Sequence, residues 1–191
     1  MMRRILALAA VLTLSGGAVP AQGTQDDDKV TYTAFAVSLG GPRMASGTGQ
    51  LELTIDRWST EAERQRLREA IAKGRDEALE VLRDMRPVGS IRTPDTVAYD
   101  LRYAHQVPGE DGGHRIFLAT DRPIGFWEAA NRPRSIEYPF TFIELRVDDQ
   151  GEGEGRLSLA TRVTGSPDGR IVQLEDYAAQ PVQLNRVRRR N

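Results

Sequence analysis

One long amphipathic segment, residues 59–86, carries the only sustained helical pattern in the sequence. Its apolar residues recur three or four positions apart, which places them on one face of a helix. Thr60 followed by Glu63 predicts a capping box at the start of this helix, and Pro87 marks its end. Gly74 stands in the apolar stripe and predicts a close approach of the helix to a sheet. The stripe consists of Leu67, Ile71, Gly74, Ala78, Leu82 and Met85.

Strand patterns occupy most of the remaining chain. Residues 50–58 and 96–107 alternate apolar and polar side chains, as a half-buried strand does. Turn-forming clusters at 108–113 and 148–155 predict two hairpins. One helix cannot alternate with about 7–8 strands, which excludes a doubly wound parallel sheet. We therefore expect one α+β domain, residues 29–191, in which an antiparallel meander or half-barrel packs on one long amphipathic helix.

The N-terminus has the features of a bacterial secretory signal. Residues 3–14 contain two arginines followed by an apolar run of ten, which is too short to span a bilayer stably. Small residues before the bond after Ala21 predict cleavage there. The sequence thus predicts a signal peptide at 1–21, a disordered acidic leader at 22–28, and a periplasmic or secreted mature protein.

The predicted mature chain is mildly acidic, with 24 basic and 27 acidic residues and a net charge of −3. This balance argues against nucleic-acid binding, which requires a clustered basic surface. No later stretch reaches the length of apolar sequence that spans a bilayer, so we expect no stable membrane insertion after signal cleavage. We expect the one basic cluster to be a solvated tail: Arg186, Arg188, Arg189 and Arg190.

Several kinds of active site are excluded or disfavoured. The chain has no cysteine, which excludes disulfide frameworks, thiol nucleophiles and cysteine-ligated metals. It also lacks the G-x-S-x-G motif of α/β-hydrolases. His105 and His114 are the only imidazoles and flank the first hairpin turn beside Glu110 and Asp111. We expect these acids to be solvated and predict no metal and no cofactor, and the sequence favours a non-enzymatic protein over an enzyme.

The acidic, glycine-rich stretch after Asp148 matches a calcium-binding loop only in part. Gln150, Glu152 and Gly153 stand at the third, fifth and sixth positions of such a loop. Leu159 occupies the twelfth position, where a bidentate glutamate is required. We therefore interpret this stretch as a turn that closes a hairpin.

The most distinctive stretch is residues 121–142, which interleaves aromatic residues with arginines, and its part 121–139 has no regular period. Binding surfaces for proteins and ligands use this combination, and long irregular loops in compact domains are often functional. The alternative is a structural role, with the aromatic rings filling one end of the sheet. The candidate ligand- or partner-binding residues are Arg122, Phe126, Trp127, Arg132 and Arg134.

Three functional hypotheses follow from the sequence. The first is a non-enzymatic envelope domain that binds a small apolar ligand or a protein partner. The second is a structural or stress-related envelope protein without a pocket. The third is a hydrolase that depends on carboxylates or on one histidine, which requires a histidine with a strongly shifted pKa near a carboxylate.

Overall fold

The structure is a computed structural model that describes residues 29–41, 44–94, 96–109, 112–121, 140–165, 172–176 and 181–190. The predicted signal peptide and acidic leader lie outside these ranges. Within the described residues the chain forms ten strands and two helices. In chain order these are β1 Val30–Gly41, β2 Met44–Ile55, α1 Glu61–Lys73, α2 Arg75–Asp84, β3 Gly89–Arg92, β4 Tyr99–Leu101, β5 Tyr103–Pro108, β6 His114–Thr120, β7 Phe140–Val147, β8 Glu152–Gly165, β9 Val172–Asp176 and β10 Val182–Arg190.

The strands form one antiparallel sheet in the order β4-β3-β2-β1-β10-β8-β7-β6-β5, with β9 paired to β8. The predicted antiparallel α+β architecture is confirmed. The two expected hairpins are present as β5–β6 and β7–β8. The strand count exceeds the prediction of about 7–8, in part because the 96–107 segment divides into β4 and β5.

The sheet curls into a nearly closed barrel. The two ends of the strand order, β4 and β5, are separated in the chain only by Arg102. β4 and β5 are thus two halves of one bent strand, of which β4 pairs with β3 and β5 pairs with β6. At the junction the Arg102 N–H donates to the Ala119 carbonyl, with an N···O distance of 2.9 Å. The sheet therefore continues further around than the predicted half-barrel, and its two end strands, β4 and β5, are neighbours through Arg102.

The interior of the barrel is a continuous hydrophobic core. Alternate residues of each strand point inward, so Ala34 and Ala36 are buried on β1 whereas Phe35 between them is exposed. The core comprises Tyr32, Ala34, Ala36, Leu51, Leu53, Ile55, Val88, Ile91, Leu101, Ala104, Ile116, Leu118, Ile143, Leu145, Val147, Leu157, Val182, Leu184 and Val187.

The helices pack on the opposite, outer face of the sheet, against β5, β6, β7 and β8. Their buried stripe forms a second core with Ala119 and Phe140, and Tyr103 and Phe142 pack against it. These sheet residues alternate along their strands with the residues of the interior core. The helices therefore lie on the outer face of the sheet, because strand side chains fill the concave face themselves. Neither helix is long and apolar enough to cross a membrane.

Gly74 divides the predicted long helix into α1 and α2. Its φ of +133° is a left-handed conformation that favours glycine, and it interrupts the helical backbone between Lys73 and Arg75. A Cβ at Gly74 would meet no atom within 4 Å, so the predicted close approach to a sheet is wrong. The glycine is required by the backbone bend rather than by packing.

The capping box at the start of α1 is confirmed. The Glu63 N–H donates to Thr60 Oγ1, and the Glu63 carboxylate accepts from the Thr60 N–H at 2.8 Å. Arg57 donates to both oxygens of Glu63, at 2.9 and 2.8 Å, and also to the carbonyl of Arg86. The hydrogen bonds from Arg57 lower the pKa of Glu63 to about 2, despite partial burial. This arginine therefore joins the beginning of α1 to the end of the helical region.

Two expectations about the C-terminal half need correction. The turn predicted over 148–155 ends at Gly151, and β8 already begins at Glu152. The arginines at 186–190 belong to β10, which pairs with both β1 and β8, so they do not form a tail. Arg186, with a φ of +53°, occupies a bulge where β10 has one residue more than either neighbour.

Candidate functional site

The segment that carries the predicted binding residues lies between two anchored strand ends. Thr120 of β6 pairs with Thr141 of β7, and both are fully buried. Asp121 lies 3.7 Å from Arg83 of α2 and 3.8 Å from Arg102. The predicted residues themselves lie outside the described part of the chain: Arg122, Phe126, Trp127, Arg132 and Arg134.

The structure does not bring the two histidines together. His105 pairs with Phe117 across the β5–β6 hairpin, whereas His114 pairs with Pro108 at its turn. Phe117 and His114 are three residues apart on β6, and residues an odd number apart on a strand point to opposite faces. His105, which lies opposite Phe117, is therefore on the other face of the hairpin from His114. The described residues contain no group of three or more His, Asp or Glu side chains arranged to hold a metal ion.

His105 is held by the first turns of α1. Arg64 Nη1 lies 3.0 Å from His105 Nδ1, and because a guanidinium only donates, Nδ1 accepts this bond. Glu61 binds Arg64 and also accepts from Arg68 at 2.9 Å. Burial and the positive charge of Arg64 lower the pKa of His105, although Glu61 acts in the opposite direction. The ring is therefore a neutral acceptor that docks α1 onto β5, with Tyr103 edge-on to it at 6.5 Å.

The lowered pKa of His105 predicts a pH-dependent stability. In the unfolded chain His105 binds a proton near its ordinary pKa of 6.5, whereas the folded protein resists protonation. The free energy of unfolding should therefore fall as the pH decreases through 6.5 towards the lowered pKa, and should recover above 6.5. We expect His105→Gln to flatten this decline in urea denaturation at pH 7, 6 and 5.

His114→Gln is the matched control for this experiment, since it removes the only other histidine. The decline should persist in this variant. A decline that persists in His105→Gln and disappears in His114→Gln would contradict the assignment.

A second cluster of charged residues lies on the outer face of β6, β7 and β8. We call it the Glu144 cluster: the Glu144 carboxylate with Arg115, Arg146 and Arg156. Arg115 and Arg146 donate to Oε1 over distances of 2.8–3.1 Å. Arg156 donates to Oε2 at 2.6 Å. The strand register brings these four side chains together. Glu144 lies opposite Arg156 of β8, and Arg146 lies opposite Arg115 of β6.

Glu144 is a buried carboxylate beneath exposed arginines. Its side chain is 10% exposed, whereas the arginine side chains are 33% to 56% exposed. Burial alone raises the pKa of Glu144, but hydrogen bonds from Arg156, Arg115 and Arg146 outweigh it and lower the pKa to about 2. Arg115 also lies over the Phe117 ring, 5.2 Å from its centroid. The cluster therefore presents guanidinium groups to solvent and keeps its counter-charge underneath.

Two of these arginines also line a groove at the turn end of β6 and β7. The groove has a volume of about 270 Å³ and lies between the β5–β6 turn and the β7–β8 turn. Asp148 in the second turn uses Oδ1 to accept from the N–H groups of Gln150 and Glu152, each at 2.9 Å. This is the hairpin-closing role expected for the acidic turn. The lining residues are Gly109, Gly112, His114, Arg115, Arg146, Val147 and Asp148.

No family is matched. Protein-family models, curated proteins and solved structures were compared with this chain, and none of the three comparisons gave a match. The geometry of the chain's own residues therefore has to support any functional proposal.

Sequence reasoning missed the Glu144 cluster. One signal was present, because Glu144 and Arg146 are two residues apart and therefore share a face of any strand that contains both. The identity of the neighbouring arginines depends on the pairing of β6 and β8 with β7. That register is set by the whole barrel and is not visible in any one segment.

Proposed function

We propose that this protein is a non-enzymatic binding domain, exported to the bacterial envelope, that binds a protein partner through the outer surface of its barrel. The observation that carries the proposal is a row of apolar side chains on the outer face of β1, which we call the β1 row: Phe35, Val37 and Leu39. The inner face of the same strand supplies the packed core, so the two faces have separate roles.

The β1 row is exposed although its residues are hydrophobic. Phe35 is 45% exposed and Leu39 is 66% exposed, and Val37 between them is half-buried. Exposed apolar area costs roughly 25 cal/mol per Å² relative to burial. Contiguous apolar surface on a folded domain commonly marks a binding surface. A partner that covers the β1 row would remove this cost.

The β1 row lies towards the barrel end at which residues 122–139 connect β6 to β7. Val37 pairs with Gln183 near the start of β10, and the first residue of β10 pairs with Leu157 of β8. Leu157 pairs in turn with Ile143, near the start of β7. The register therefore supports a shared recognition surface at this end of the barrel.

The sequence supplies the other half of the proposed surface. Aromatic residues and arginines dominate the energetic centres of protein interfaces, and residues 122–139 combine both. The described residues on either side of this segment, Thr120 of β6 and Phe140 of β7, lie at the same end of the barrel. We propose that five of its residues contact the partner: Arg122, Phe126, Trp127, Arg132 and Arg134.

The alternative occupant, a small apolar ligand, would need room inside the barrel. Leu53, Ile55, Ile116 and Leu118 are fully buried there in one continuous cluster. This packing favours recognition on the outside. Native mass spectrometry of the exported protein, gently purified, tests the point: a small bound mass that is lost on denaturation would support the apolar ligand instead.

A packed interior is also what a structural envelope protein without a pocket would have. The exposed β1 row favours a binding role over that alternative. The hydrolase hypothesis is disfavoured by His105, whose Nδ1 accepts from Arg64 and whose pKa is lowered. A carboxylate beside the ring would raise the pKa of the histidine and make it a stronger base, whereas the guanidinium of Arg64 lowers that pKa.

Partner capture by cross-linking in intact envelopes tests the proposal. We expect Leu39→Ser to reduce the captured partner roughly tenfold, as loss of an interface anchor does. Trp127→Ala and Arg132→Ala should each reduce capture while the melting temperature stays within a few degrees. Val97→Ser is the matched control, because Val97 is 86% exposed and lies outside the β1 row.

The same set of variants can contradict the proposal. Equal capture by wild type and Leu39→Ser would remove the β1 row from any interface. A joint loss of capture and thermal stability in Trp127→Ala would assign Trp127 to the core rather than to recognition.

A further inference from the structure

We propose that this protein pairs with a second copy of itself along the free edge of β2, in antiparallel orientation about a twofold axis. The stretch concerned, which we call the β2 edge, is residues 44–51. It offers backbone groups of β2, whereas the partner surface proposed above consists of side chains on β1 and on residues 122–139. The two proposals therefore depend on different atoms.

Among the described residues, the β2 edge is paired on one side only. β1 pairs with β2 along its whole length. On the other side β3 covers β2 only from Glu52 to Ile55. A strand directs backbone N–H and C=O groups to both of its sides, so the β2 edge presents a row of donors and acceptors without a partner strand.

The β2 edge lacks the features that normally prevent two sheet edges from pairing. Such features are charged side chains, proline, β-bulges and a very short strand. Residues 44–51 contain neither a charged residue nor proline, and their register with β1 has no bulge. Ser46, Thr48 and Gln50 are exposed, and a Cβ at Gly49 would meet no atom within 4 Å. A second backbone can therefore approach this edge.

The fold covers a comparable edge on β5. This strand pairs with β6 on one side, and on its other side Ser59 binds the backbone of Ala104. The Ser59 N–H donates to the Ala104 carbonyl at 2.9 Å, and Ser59 Oγ accepts from the Ala104 N–H at 3.1 Å. Both residues are buried. The β2 edge has no such cover among the described residues, which leaves it open to a partner strand.

The chemistry of the β2 edge favours a second copy over a charged peptide as the occupant. An antiparallel edge is complementary to itself, because a twofold rotation brings the same row of donors and acceptors to face it. This rotation also places uncharged residues opposite uncharged residues. Glu52, which binds Arg92 and Arg190, lies just beyond one end of the stretch. In a pairing centred on the stretch, the two copies of Glu52 are about 30 Å apart, so their charges do not oppose each other.

Sedimentation velocity of the purified exported protein tests the proposal, at about 1 to 200 µM protein and about 150 mM NaCl. We expect a reversible dimer with a Kd of about 10 µM, as is typical of a small, transient interface. Thr48→Lys should weaken the dimer at least roughly tenfold, because Thr48 lies near the middle of the β2 edge and the substitution opposes like charges across it.

Gln183→Lys is the matched control. Gln183 is exposed and lies on the same outer face, opposite Val37 of β1, as Thr48 does on the other side of Val37. Its strand, β10, is paired on both sides, with β1 and with β8. The same charge should therefore leave the dimer unchanged at this position.

A charge exchange makes the test independent of any one substitution. Thr48→Glu should weaken self-association as Thr48→Lys does, and an equal mixture of the two variants should dimerise again, because opposite charges then meet across the edge. Circular dichroism of each variant shows that it is folded.

Three results would overturn the proposal: a wild type that stays monomeric at about 200 µM, a control that weakens the dimer as much as Thr48→Lys, or a mixture that does not recover. A monomer in which Thr48→Lys abolishes partner capture would assign the β2 edge to a strand of the partner protein instead. The centrifuge experiment contains no partner, so a failed capture experiment leaves its result unaffected.

Discussion

Gly153→Ala is expected to lower the free energy of unfolding by about 3 kcal/mol, the upper end of the usual cost of overpacking. A Cβ at Gly153 would lie 1.9 Å from the carbonyl oxygen of Arg146 on the neighbouring strand, far inside any van der Waals contact. The obstructing atom belongs to the backbone of β7, which cannot move without disturbing its pairing with β8. For a chain of this size the melting temperature should fall by roughly 10 °C.

Gly49→Ala is the matched control, because Gly49 is also a strand glycine and has no atom within 4 Å of the position of a Cβ. Its effect should stay within about 0.5 kcal/mol. Thermal and urea denaturation of both variants give the comparison. Similar losses for the two variants would show that the loss of stability in Gly153→Ala comes from strand propensity rather than from the close approach of β8 to β7.

Glu144→Gln is expected to lower the free energy of unfolding by on the order of 2 kcal/mol at pH 7. The substitution removes the carboxylate that three arginines share and leaves their positive charges close together. The full linkage value for a pKa lowered from 4.5 to about 2 would be larger. The arginine side chains are 33% to 56% exposed, and solvent screening reduces the effect.

The pH dependence of this contribution has a definite sign. The folded pKa of Glu144 is lowered, so its stabilisation is fully present above the unfolded value of 4.5 and disappears as the pH falls towards about 2. Below pH 2 wild type and Glu144→Gln should therefore differ little in the stability attributable to this group. Glu154→Gln, an exposed neighbour on β8, should cost less than about 0.5 kcal/mol. A wild-type advantage that is unchanged from pH 7 to pH 3 would contradict the ion-pair explanation.

Local patterns predicted the elements that depend on nearby residues. The capping box of Thr60 and Glu63 is present because both partners lie within one helical turn. The hairpins around residues 108–113 and 148–155 were predicted, since clusters of turn-forming residues mark where each one reverses. The break at Gly74 was missed because an isolated glycine fits both a helix interior and a helix end.

The glycines after Asp148 were misread for a related reason. In sequence, Gly151, Gly153 and Gly155 interleaved with acids have the composition of a loop. In the structure only Gly151 belongs to the turn, with a φ of +77°, and the other two lie in β8. Cβ atoms at Gly153 and Gly155 would meet backbone oxygens of β7, so these glycines are required by an approach between strands that local composition does not encode.

The sequence by itself determined an antiparallel α+β domain with one helical region, its capping residues and most of its strands, because hydrogen bonds and side-chain periodicity within a segment specify these features. Only the tertiary structure decided that the bent strand through Arg102 brings the two sheet edges together, that the helices lie outside the barrel, and that Arg115, Arg146 and Arg156 share Glu144. Each of these depends on the register between segments distant in the chain. Register is set by the requirement that the apolar faces of all strands are buried in one core, so no single segment contains enough information to specify it.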